Sequence, residues 1–78
     1  MEVRVRHFSV LREQRGTAEE TVNVEPGTTV RALYAELFPP GREGALPVLF
    51  AVNRAYVGPH HVLAAGDELA FIPPLGGG

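Results

Sequence analysis

In one stretch of this sequence, and over more than a single turn, apolar residues recur at helical spacing: Val30, Leu33, Tyr34 and Leu37 stand at i, i+3, i+4 and i+7. The spacing predicts an apolar stripe on a helix from Val30 to about Phe38, with Arg31, Ala35 and Glu36 on its other face. Thr28 or Thr29 is its cap, and Pro39-Pro40 stops it before a loop from Gly41 to Pro47. The rest of the chain reads mainly as short strands. A helix of about nine residues cannot cover both faces of a sheet, so the economical arrangement wraps one mixed sheet over one side of it.

The strands are legible from alternation and turn residues. Glu2 to Phe8 places Val3, Val5 and His7 on one face and Arg4, Arg6 and Phe8 on the other, with Phe8 an aromatic on the polar side. Ser9 is positioned to cap a short helical turn through Val10, Leu11 and Arg12, which Gly16 ends. Thr21 to Val24 forms a second strand, antiparallel to the first, with Val22 and Val24 inward. Pro26-Gly27 is a turn, and Val48 to Val52 is a near-continuous apolar strand. Asn53-Arg54 reverses the chain into a short strand, Ala55 to Val57, which Gly58-Pro59 breaks. Gly66-Asp67 opens the last strand, Glu68 to Ile72, with Leu69 and Phe71 inward. This α+β order admits first and last strands side by side at the centre, the β-grasp (ubiquitin-like) arrangement, as one of several topologies.

The chain has 78 residues, enough for one small domain. It contains no cysteine, hence no disulfide and no thiol nucleophile, and its formal net charge of −2 gives no electrostatic case for nucleic acid or an anionic membrane. No apolar run approaches about 18 residues and no signal-peptide pattern opens the chain, so a soluble cytosolic protein is expected. All seven basic residues are arginine. Without lysine, only the α-amine could accept an isopeptide bond.

The end of the sequence stands apart: Phe71-Ile72-Pro73-Pro74-Leu75-Gly76-Gly77-Gly78 begins as a strand, stiffens through two prolines and finishes in three glycines. Proline cannot donate to a sheet and projects the chain outward. Glycine, lacking Cβ, makes a thread thin enough for a narrow channel, with the Gly78 carboxylate at its tip. The expected division is a domain over residues 1–74 and an extended tail over 75–78. By strand parity Phe8, Tyr56 and Ile72 form an apolar patch beside the tail's exit, provided first and last strands are neighbours.

Several segments together resemble the MoaD family of ubiquitin-like sulfur carriers, the small subunits of molybdopterin synthase. They are Phe8 with Arg12-Glu13, the run Thr28-Thr29-Val30 with Leu33, and Ala51-Val52-Asn53. To these are added Leu63 with Gly66-Asp67-Glu68-Leu69, and Phe71-Ile72-Pro73-Pro74 before the terminal glycines. Gly76, where relatives carry assorted residues, and His7, where an aromatic is common, depart from the pattern. The resemblance implies a β-grasp fold and a heterotetramer with the synthase large subunit. It implies that an E1-like adenylyltransferase joins the Gly78 carboxylate to AMP. A sulfur donor then converts it to a thiocarboxylate, which passes sulfur to a cyclic pterin precursor. No cofactor is bound intrinsically; ATP and the sulfur donor act through the activating partner. Gly78 is the reacting residue and Gly76 and Gly77 the thread. Pro73 and Pro74 form the spacer, and partners grip the stretch from Pro73 to Gly77, including Leu75, together with Phe8, Tyr56 and Ile72.

Other groupings carry less. His60-His61 point opposite ways in extended chain and lack a third ligand, so no metal site is expected. Asp67-Glu68 reads as turn chemistry and Glu19-Glu20 as solvated surface. Two further functions remain open on residues alone. One is a carrier for tRNA thiolation or thiamin thiazole synthesis, or a ubiquitin-like protein modifier. The other is a non-catalytic β-grasp binding module.

Overall fold

The computed structural model describes residues 1–39 and 48–73. Its elements are β1 (Glu2–His7), α1 (Ser9–Arg15), β2 (Glu19–Asn23), α2 (Val30–Leu37), β3 (Leu49–Val52), β4 (Ala55–Val57) and β5 (Glu68–Ile72). They form one sheet of order β2-β1-β5-β3-β4, in which β1 and β5 pair in parallel at the centre and the other pairs are antiparallel. First and last strands are thus neighbours, and the fold is the β-grasp. A parallel pair needs a long crossover, and the chain between β1 and β5 contains the helix whose Val30 and Leu33 share the buried core with the sheet's inward residues.

Alternation decides which side chains meet that helix. Val5 lies opposite Leu69 and His7 opposite Phe71 across the central pair, and Phe50 opposite Phe71 across the next. Val3, Val5, Leu69 and Phe71 are fully buried with Val30 and Leu33 of α2. Phe71 is the hub: its ring centroid lies 5.0 Å from Tyr34, 5.7 Å from Phe50, 6.1 Å from Phe38 and 6.2 Å from His7. Three of these contacts are near-perpendicular, the arrangement that brings a ring's positive edge to its neighbour's negative face.

The helix boundaries follow local chemistry, with one correction. Thr29 caps α2, its Oγ1 accepting from the Ala32 amide at 3.1 Å, and Gly16 closes α1 in the left-handed region at φ 77°. Ser9, expected to cap α1, does not. Phe8 occupies the cap position without a side-chain bond, and Ser9 is the first helical residue, at φ 52°. The reason is geometric: β1 runs directly into α1, so the chain reverses within one residue, and the Phe8 carbonyl accepts from Leu11 at 3.1 Å and Arg12 at 3.4 Å.

A second correction concerns Glu20. The ladder with β1 runs back to Glu19, so β2 spans Glu19–Asn23 rather than starting at Thr21, and parity turns Glu20 to the inner side with Val22. Its carboxylate accepts from Arg15 Nε and Nη2, both at 2.8 Å, and from His7 Nε2 at 2.7 Å. An ionised carboxylate only accepts, so His7 Nε2 is the donor in this bond, and Nδ1 is buried without a hydrogen-bond partner among the described residues. Glu19 is exposed as expected, but Glu20 is a fastener between β2, α1 and β1. The Arg15 hydrogen bonds, with His7 adding to them, pull its carboxyl pKa down from 4.5 to about 2. A depressed folded-state pKa stabilises the fold above the unfolded value, and that contribution is lost as pH falls through about 2. Glu20→Gln is therefore expected to cost about 2 kcal/mol at pH 7. The gap to the unsubstituted protein should close between pH 4.5 and 2. Urea unfolding across that range checks it; a constant gap would overturn the assignment.

Candidate functional site

The sheet's outer face carries the site. One cross-strand row runs Arg6, Ala70, Ala51, Tyr56, each residue paired in register with the next across β1, β5, β3 and β4. Two alanines between an arginine and a tyrosine make a low floor between high walls. The result is an open groove of about 260 Å³, with Phe8 and Ile72 towards one end and Arg54 and Glu68 towards the other. Sequence parity named Phe8, Tyr56 and Ile72, and the structure brings all three to this groove. Tyr56 is 72% exposed and Phe8 38%.

The groove's walls are set by contacts beneath and beside it. The Arg6 guanidinium lies over the Phe8 ring at 5.6 Å, a cation–π stack that holds both. At the other end the β3–β4 turn is clamped to the start of β5. Asn53 Nδ2 donates to Asp67 Oδ1 at 3.0 Å, the Glu68 amide donates to Asn53 Oδ1 at 3.0 Å, and Asp67 Oδ2 accepts from the Ala64 amide at 2.8 Å. Asp67 thus does the turn work read from sequence. The clamp fixes Asn53 and Arg54 at φ 52° and 71°, the pair of left-handed residues a tight hairpin turn requires. Arg4, opposite Glu68 in register, reaches its carboxylate at 3.8 Å.

Six residues of this surface were not singled out as site residues from sequence: Arg6, Leu49, Ala51, Arg54, Glu68 and Ala70. Leu49 is opposite Ile72 in register and 52% exposed, so it extends the apolar strip towards the tail's exit. Its signal was the unbroken apolar run in β3, longer than a strand covered on one face requires. The alanines carry no local signal, since a small floor matters only between tall neighbours.

Pro73 is half-buried and continues directly from Ile72 at the end of β5. The remaining tail residues, Pro74, Leu75, Gly76, Gly77 and Gly78, lie outside the described residues, as does the loop read from Gly41 to Pro47. His60 and His61 are exposed, and among the described residues no group of three or more His, Asp or Glu side chains converges as a metal would need. Among the described residues, no helix is long and apolar enough to cross a membrane. The groove's chemistry is recognition: an apolar strip, two guanidiniums and a carboxylate, with no nucleophile at its floor.

Comparison with known proteins bears on the whole chain. The family model described as ThiS family matches residues 5–78. The molybdopterin synthase sulfur carrier subunit of Chlamydomonas reinhardtii is 35% identical over 83 residues, covering 100% of both chains. That of Mycobacterium tuberculosis is 38% identical over 82 residues, covering 100% of this chain and 99% of the relative. Among solved structures, H. volcanii small archaeal modifier protein 1 superposes with a TM-score of 0.78 at 26% identity, covering 95% of this chain and 98% of that one. A match over nearly the full length, on a β-grasp sheet whose central strand leads to the Gly-rich end, identifies the chain as a member of the ThiS family of sulfur carriers.

Proposed function

We propose that this chain is the sulfur-carrying subunit of a molybdopterin synthase and that Gly78 is its reacting residue. The observation that carries the reading is positional. The central strand β5 runs out of the core at Phe71 to Ile72, which lines an exposed groove suited to docking, and from Pro73 the sequence continues to the glycines. The full-length likeness to relatives named for that role supports it.

The chemistry follows from the carboxyl group. Ionised at pH 7, it is a poor electrophile. An E1-like partner transfers AMP from ATP to the Gly78 carboxylate, releasing pyrophosphate and leaving an acyl adenylate. A sulfur donor displaces AMP, and the C-terminus becomes a thiocarboxylate. Its soft, ionised sulfur is the nucleophile towards the pterin precursor in the large subunit. Intact-mass measurement of protein from its native host tests this. One oxygen replaced by sulfur at the C-terminus is expected, and an unmodified mass after incubation with the activating enzyme, ATP and a sulfur donor would overturn it. The likeness to an archaeal modifier protein favours one alternative, conjugation to other proteins. In that case the same assay yields Gly78 joined to a lysine of another chain.

Docking on the outer face adds a second test. Phe8 is exposed and stands outside the buried core cluster, so Phe8→Ala should leave thermal stability nearly intact, costing about 1 kcal/mol or less. Its association with the large subunit should fall by at least about tenfold, as for truncation of an interface aromatic. Unchanged affinity per folded molecule would remove Phe8 from the docking surface.

A further inference from the structure

Two arginines on the groove have no carboxylate partner among the described residues, and one occupies a backbone position that disfavours it. Arg54 sits at φ 71° in the second place of a turn whose usual residues there are glycine or asparagine. A side chain with Cβ is strained in that region, so the chain carries an arginine where glycine would be easier. Nothing in the clamp uses the Arg54 side chain: Asn53, Asp67 and Glu68 make those bonds. Arg6 is opposite Glu19 in register, yet it makes no ion pair with Glu19 and lies over Phe8 instead. Among the described residues the one acid on the groove, Glu68, is approached by Arg4. A chain of net charge −2 thus presents around an apolar floor two guanidiniums that have no carboxylate partner among the described residues.

At about 260 Å³ and open, the groove falls below the roughly 300–1,000 Å³ of small-molecule pockets and suits a single anchoring side chain of a protein. We propose that it receives an acidic stretch of a partner protein, an apolar side chain seated on Ala51 and Ala70 and carboxylates beside it meeting the Arg6 and Arg54 guanidiniums. This rests on the reading that the chain docks on a partner, and adds the chemistry of the partner's surface. The planar guanidinium can take a carboxylate with two parallel hydrogen bonds, and stacking on Phe8 already orients that of Arg6. Charge placed at the groove speeds and selects encounter as well as holding the complex.

The test titrates the full-length chain with the purified large subunit of the synthase, by calorimetry, at low and high salt. Arg54→Gly relieves the left-handed strain, so its melting temperature should stay within a few degrees, while affinity falls by about tenfold or more. Arg6→Gln should weaken binding to a similar degree, and Arg6→Lys should recover only part of it. Affinity of the unsubstituted chain should drop as salt rises, and the double variant Arg6→Gln, Arg54→Gly should respond less to salt. Unchanged affinity in both single variants overturns the inference. So does weaker binding with the salt response intact, because the arginines would then act by packing. No binding by the unsubstituted chain also overturns it, whereas the thiocarboxylate reading is decided separately by the mass of Gly78.

Discussion

A chain shortened by Gly78 alone is expected to lose at least about a hundredfold in sulfur transfer while melting at the same temperature as the full chain. One residue of extended backbone is about 3.3 Å, and reacting atoms must approach to about 3–3.5 Å, where even about 1 Å of misplacement is costly. Adding a residue should fail for the same reason in the opposite direction. Gly77→Val should also fail, because a β-branched side chain thickens the thread and stiffens its backbone. Gly76→Ala, farther from the reacting carbon, should be milder. Among the described residues, every member of the buried core cluster lies between Val3 and Phe71, and none of these changes should shift the melting temperature. Pyrophosphate release reports adenylation and product formation reports sulfur transfer. Normal turnover from a chain ending at Gly77 would overturn the assignment of Gly78 as the reacting residue.

The opposite signature, stability lost at its source, is expected at Phe71. The residue is fully buried and its ring meets Tyr34, Phe38, Phe50 and His7. Phe71→Ala forfeits the transfer free energy of the ring and leaves a cavity at the centre of that cluster, a cost of about 3–5 kcal/mol. For a domain of this size, whose total stability is roughly 4–12 kcal/mol, that is a drop of about 15–30 °C in melting temperature or outright unfolding. Phe71→Leu, which keeps most of the volume, should lose about 1–2 kcal/mol and remain folded. Thermal melts of the two variants decide it. A loss below about 5 °C for Phe71→Ala would mean that the aromatic cluster does not carry the core. Because Phe71 begins the approach to the tail, the leucine variant also separates core from chemistry: it should melt earlier yet transfer sulfur at the ordinary rate per folded molecule.

Much of this was written locally. The alternation in β1 and β5, the stripe of α2, a cap at Thr28 or Thr29 and the Asn53-Arg54 and Gly66-Asp67 turns were all legible, because each depends on a few adjacent residues and a fixed period. The tail's composition was equally plain, and with the motif string before it pointed to the family. The groove was only conditionally legible. Parity placed Phe8, Tyr56 and Ile72 on one face, but their meeting required the parallel β1–β5 pair, which joins opposite ends of the chain. What the tertiary structure decided alone were matters of convergence. Glu20 looked solvated until β2 extended back to Glu19 and brought its carboxylate between Arg15 and His7. Ser9 had a capping side chain, but the abrupt passage from β1 to α1 left the cap position to Phe8. Ala51 and Ala70 became a floor only when register set them between Arg6 and Tyr56. A side chain's period is a property of its own strand, but its partners are chosen by register between strands, and register is settled by the packing of the whole sheet.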